Sequence, residues 1–68
     1  MSLYKYKVDL SALTLEEKSN LYDCIDTKSY NGFFFDPISQ CGTFFVDENF
    51  DLSLLKIPAV CLLTRIYQ

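Results

Sequence analysis

Residues Leu3 to Leu10 alternate, with Tyr4, Tyr6, Val8 and Leu10 on one parity and Lys5, Lys7 and Asp9 on the other. Strand side chains point to the two faces in turn, so the pattern predicts a strand with one buried and one charged face. After the short connection Ser11-Ala12-Leu13 the period changes. Thr14 followed by Glu17 fits a capping box, in which hydroxyl and carboxylate each accept from the other residue's backbone N–H. Glu16 and Glu17 also suit the positive end of a helix dipole. Leu21, Cys24 and Ile25, flanked by Leu15 and Tyr22, recur at helical spacing and predict a helix from about Leu15 to Ile25.

Asp26-Thr27-Lys28-Ser29 reads as a polar break, and Tyr30 to Asp36 as a second strand. Asn31-Gly32 within it has hairpin-turn character, but too little chain precedes it to pair, so a bulge or a strand start is expected there. The stretch from Asp36 to Gly42, with Pro37, supplies the residues of a longer hairpin loop. Thr43 to Asp47 is the third strand. Phe50 to Ile57 has room for two turns of helix stopped by Pro58; a fifth strand through Phe50-Asp51-Leu52 is the competing reading. Ala59 to Tyr67 is a dense apolar strand with one charge, Arg65.

The expected fold is therefore a single α+β domain over residues 1–68. Four antiparallel strands carry one clear and one short helix on one face, in the ferredoxin-like order β-α-β-β-α-β. Both helices cover the same side, which leaves the other side open. The triplet Phe33-Phe34-Phe35 and the run Phe44-Phe45-Val46 cannot turn every ring into one core. With Phe33, Phe35, Phe44 and Val46 inward, Phe34 and Phe45 face out. If Arg65 also faces out, so do Cys61, Leu63 and Tyr67. The expected open face then combines Phe34, Phe45, Leu63 and Tyr67 with Lys5, Lys7 and Arg65, and an apolar patch of that kind marks an interaction site.

Composition narrows the reading. The chain has 68 residues, of which 50% are hydrophobic and 16% aromatic, so it has ample apolar surface to fold. A domain of this size often completes its core by association. The net charge of −3 argues against a protein that grips nucleic acid mainly through phosphates. Three scattered cysteines with no Cys-x-x-Cys pair, and no secretory segment, read as reduced thiols in a cytoplasmic protein. No apolar stretch approaches the roughly 18 residues needed to span a bilayer.

Candidate chemistry is sparse. The chain has no histidine, the commonest general base and metal ligand. Cys41, expected in a loop beside Gly42, is the one nucleophile to weigh, yet it has no base near it in sequence. Asp47-x-Asn49-x-Asp51 alternates oxygen ligands but lacks the glycine and closing glutamate of a calcium loop, and turn formation accounts for it. No catalytic, cofactor-binding or metal-binding residues are expected. The segment Asn31-Gly32-Phe33-Phe34-Phe35 resembles the core of the RNA-recognition-motif signature, where a glycine precedes interleaved aromatics. It lacks the leading basic residue and falls on the second strand instead of the third. The resemblance implies single-stranded nucleic acid stacked on the open face.

The sequence thus points to a small non-enzymatic interaction or accessory protein. It would self-associate or bind a protein partner through its aromatic sheet face, with Lys5, Lys7 and Arg65 setting orientation. Single-stranded nucleic-acid binding is the alternative, and a small-ligand regulatory module at a dimer seam is a third.

Overall fold

The alternation of the first residues becomes strand β1, Leu3–Asp9, in a computed structural model that describes residues 2–67. Helix α1 spans Leu15–Lys28, followed by β2, Tyr30–Asp36, and β3, Cys41–Asp47. Two single 3₁₀ turns, Leu52–Leu55 and Ala59–Cys61, lead into a three-residue β4, Thr64–Ile66. The sheet is antiparallel throughout, in the order β2-β3-β1-β4. β1 and β2 therefore run parallel with β3 between them, joined by α1 across one face.

The capping box forms as expected. Thr14 Oγ1 accepts from Glu17 N–H at 3.2 Å and Glu17 Oε1 accepts from Thr14 N–H at 2.9 Å. The helix runs three residues past Ile25, because the polar Asp26-Thr27-Lys28 adds a last turn instead of breaking it. That turn is tied down at both ends of Asp26. Its backbone continues the helix, while Asp26 Oδ1 accepts from Phe33 N–H of β2 at 2.9 Å. The bulge at Asn31-Gly32 is present: both residues are left-handed (φ 63° and 85°), and the β2–β3 register shifts between Tyr30 and Phe33. A side chain at Gly32 would press on the Asp26 carboxylate as well as strain the backbone.

The second helix is the main correction. Over residues 50–57 there is one 3₁₀ turn, Leu52–Leu55, and the competing strand through Phe50-Asp51-Leu52 is absent too. Asp51 caps the turn, and Lys56 ends it in the left-handed region at φ 52°. Pro58 holds Ile57 out of the α region, so too few residues remain for α-helical bonding. The β-α-β-β-α-β order is thus not confirmed: the sheet carries one α-helix. The strand expected over 59–67 shrinks likewise. Ala59–Cys61 turns so that Cys61 is fully buried, Leu62 is left-handed at φ 50°, and pairing begins only at Thr64.

The core lies between the sheet and α1. Val8, Leu10, Phe33, Phe44 and Val46 meet Leu13, Leu21 and Ile25, and Leu55 and Cys61 close the remaining side. Phe33 is its hub, edge-on to Tyr22 at 5.1 Å between centroids and near Phe44 at 6.1 Å. No polar or charged residue is buried among those described.

Three surface carboxylates, Glu17 and Asp51 exposed and Asp9 partly covered, hold local turns, and each is pulled below the ordinary carboxylate range by the bonds it accepts. Asp9 accepts from Ser11 N–H, Glu17 from Thr14 N–H, and Asp51 from the Ser53 hydroxyl and N–H. Groups with a lowered folded pKa contribute stability above their unfolded pKa and lose it as pH falls through the folded value. The urea midpoint is therefore expected to hold from neutrality down to about pH 4.5 and to fall below that. A midpoint unchanged at pH 3 would contradict these three contacts.

Candidate interaction face

Residues directly opposite one another in antiparallel strands share a face, so the register assigns every facing. Phe44 pairs with both Tyr6 and Phe33, and Val46 with Tyr4, on the helix-covered side. The uncovered side carries two complete rows. One runs Tyr30, Phe45, Lys5, Ile66 across β2, β3, β1 and β4; the next runs Phe34, Thr43, Lys7, Thr64. Neither row contains an acid. Beyond them on the same face lie Asp36, Cys41 and Asp9 at one end and Asp47 beside Leu3 at the other.

Phe34 is 57% exposed and Tyr30 50%, while Phe45 is half-buried with the Lys5 ammonium 5.8 Å from its ring centre. Between Phe34 and the hairpin loop is a shallow hollow of about 390 Å³ lined by Lys7, Phe34, Asp36, Ser39, Cys41 and Thr43. Cys41, expected in the loop, is instead the first residue of β3 and faces Asp9 and Asp36 across the sheet. The loop is tighter than expected because Asp36 organises it, accepting from Ile38 N–H through its carboxylate and from Gln40 N–H through its carbonyl.

Of the residues expected on the open face, the structure gathers Phe34, Phe45, Lys5 and Lys7 there. It removes Arg65, Leu63 and Tyr67. Arg65 pairs with Tyr6 and so belongs to the helix side, where its guanidinium stacks on Tyr4 at 3.5 Å and Tyr67 at 4.7 Å. Leu63 packs against the core, and Cys61, expected outward, is buried, which pushes its thiol pKa up. Cys61, Leu63 and Arg65 stay together as expected but turn the other way, because Arg65 pairs with Tyr6 and its charge is accommodated on the Tyr4 ring instead of in the open face. Tyr67 is 79% exposed beside Arg65 instead of on the open face.

Tyr30 and Ile66 complete the face and were missed. The signal for Tyr30 was available: the bulge adds an even number of residues, so Tyr30 keeps the parity of Phe34. Ile66 follows once Arg65 is assigned to the other side.

Among the described residues there is no cluster of three or more His, Cys, Asp or Glu that could hold a metal ion, and no helix is long and apolar enough to cross a membrane. No family model, curated protein or solved structure matches the chain.

Proposed function

We propose that the chain is a non-enzymatic interaction protein that pairs with a second copy of itself through the open sheet face. One observation carries this reading: the face is divided along its midline into unlike halves. β2 and β3 present Tyr30, Phe34 and Phe45; β1 and β4 present Lys5, Lys7, Ile66 and Thr64. A two-fold axis along that midline lays the aromatic half of one copy over the cationic half of the other. Lys5 then meets the partner's Phe45 face, Lys7 lies near the partner's Phe34 and Thr43, and Tyr30 covers Ile66. Sheets stack in this aligned manner about 10 Å apart. Ammonium groups over aromatic faces gain further as water is excluded. Architecturally, the parallel β1-α1-β2 unit with β3 inserted supports a ferredoxin-like reading in which the second helix is reduced to 3₁₀ turns.

The lysines supply the test of geometry. Lys7→Glu puts an acid against the partner's aromatic half and beside its Asp36, so the dimer dissociation constant is expected to rise about tenfold or more. Sedimentation velocity over a dilution series reads this directly. An unchanged constant would mean that the lysine-bearing half is not in the contact.

A further inference from the structure

Arg65 is the only arginine in a chain with five lysines, and its surroundings differ from theirs. Its guanidinium carbon lies 3.5 Å from the centre of the Tyr4 ring, which is van der Waals stacking distance, and 4.7 Å from that of Tyr67. Stacking satisfies the flat face of a guanidinium and leaves the in-plane N–H edge as the part able to take a ligand. Among the described residues, side-chain hydrogen bonds engage Lys18 and Lys28 but not Arg65. Arg65 lines a hollow of about 230 Å³ at the end of β1 and β4, together with Leu3, Tyr4, Lys5, Ile66 and Tyr67. Asp47 pairs with Leu3 on the open face but does not line the hollow.

We propose that this hollow, with Arg65 held flat on Tyr4 and Tyr67, binds a small oxyanion, a phosphate or carboxylate group taken in a forked, two-bond contact. A fork held in place by two rings loses little freedom on binding, and two parallel N–H···O bonds suit both groups. Lys5 borders the hollow from β1 and adds a second positive charge, which favours a phosphate dianion over a carboxylate. Arg65 and Tyr4 lie on the side of the sheet away from the dimer face, whereas Leu3, Lys5 and Ile66 belong to the open face. Phosphate is therefore titrated into the Phe34→Asp protein as well as the parent, and binding by that variant reads the site independently of self-association.

The test is an NMR titration of the ¹⁵N-labelled protein with potassium phosphate, with acetate and with chloride, all at one ionic strength. Phosphate is expected to move the Arg65 side-chain N–H signal and the Tyr4 and Tyr67 amides along one saturating curve. Acetate should do so more weakly and chloride not at all. Acetate equal to phosphate would mean that the fork takes either oxyanion and that Lys5 adds no preference for the dianion; phosphate alone would assign the site to phosphate groups. Arg65→Lys keeps the charge but loses the fork, and is expected to weaken phosphate binding about tenfold. Tyr67→Leu, which removes the more exposed ring and leaves the Tyr4 stack, should weaken it in the same direction and serves if Arg65→Lys does not fold. Equal response to chloride, or undiminished phosphate binding in the variant that folds, would overturn the proposal.

Discussion

Gly42→Ala is expected to lower the melting temperature by about 10–25 °C, a loss of roughly 3 kcal/mol in a domain of this size. Gly42 sits in β3 opposite Val8 and Phe35, and a Cβ there would overlap the tip of the Phe33 ring. An exposed ring would swing aside at little cost. Phe33 cannot, since Tyr22 stands edge-on to it and Phe35 and Phe44 flank it. Relief requires β2 to move away from β3, or the ring to leave the core and open a cavity. Small domains hold only about 0.05–0.15 kcal/mol per residue, so one such clash takes a large share of the total. Thermal unfolding followed by circular dichroism checks this. The double variant Gly42→Ala with Phe33→Leu should recover part of the loss, because the shorter side chain vacates the space. A melting temperature within 2 or 3 °C of the parent would mean that the ring does not lie across Gly42.

Phe34→Asp is expected to abolish the proposed self-association without unfolding the chain. Phe34 is more than half exposed in the single chain, so its loss removes little from the core. Across the proposed contact each dimer loses two rings and gains two acids, one from each copy. With a central interface aromatic worth about 2 kcal/mol, the pair raises the dissociation constant about a thousandfold. The charge change adds to that, because each new acid would have to leave water to remain in the contact. Phe45→Asp should act in the same direction but also cost stability, since Phe45 is half-buried. A Phe34→Asp protein that dimerises like the parent would place the contact elsewhere. A monomeric parent that instead binds oligonucleotides, with affinity falling steeply as salt rises, would favour nucleic acid on this face.

Much of this was legible in the sequence wherever a period or a cap spoke for the structure. The alternation of Tyr4 to Leu10, the capping box at Thr14 and Glu17, and the Asn31-Gly32 bulge each have a local physical cause, and each appears. Phe34, Phe45, Lys5 and Lys7 could be placed on one face because their strands alternate without interruption up to the bulge. The C-terminal third was not legible. From Leu52 to Leu63 the chain is densely apolar, and two 3₁₀ turns leave no period to read. Lys56 and Leu62 adopt left-handed conformations with no glycine to announce them. Cys61, Leu63 and Arg65 do keep to one side, but the facing of that set is not fixed by the charge of Arg65. It is set instead by pairing with Tyr6, a long-range contact. Asp26 shows the same limit: its clamp on Phe33 N–H joins helix to bulge, and no spacing in the sequence marks it.

The measurement that bears most directly on the open face is the solution mass of the parent protein by light scattering, from low micromolar to about millimolar concentration. Pairing through the aromatic and cationic halves predicts a mass that rises with concentration toward twice the 7.9 kDa of one chain, and a Phe34→Asp protein that stays at 7.9 kDa throughout. A parent that remains at the single-chain mass across the whole range would contradict self-association as the use of this face.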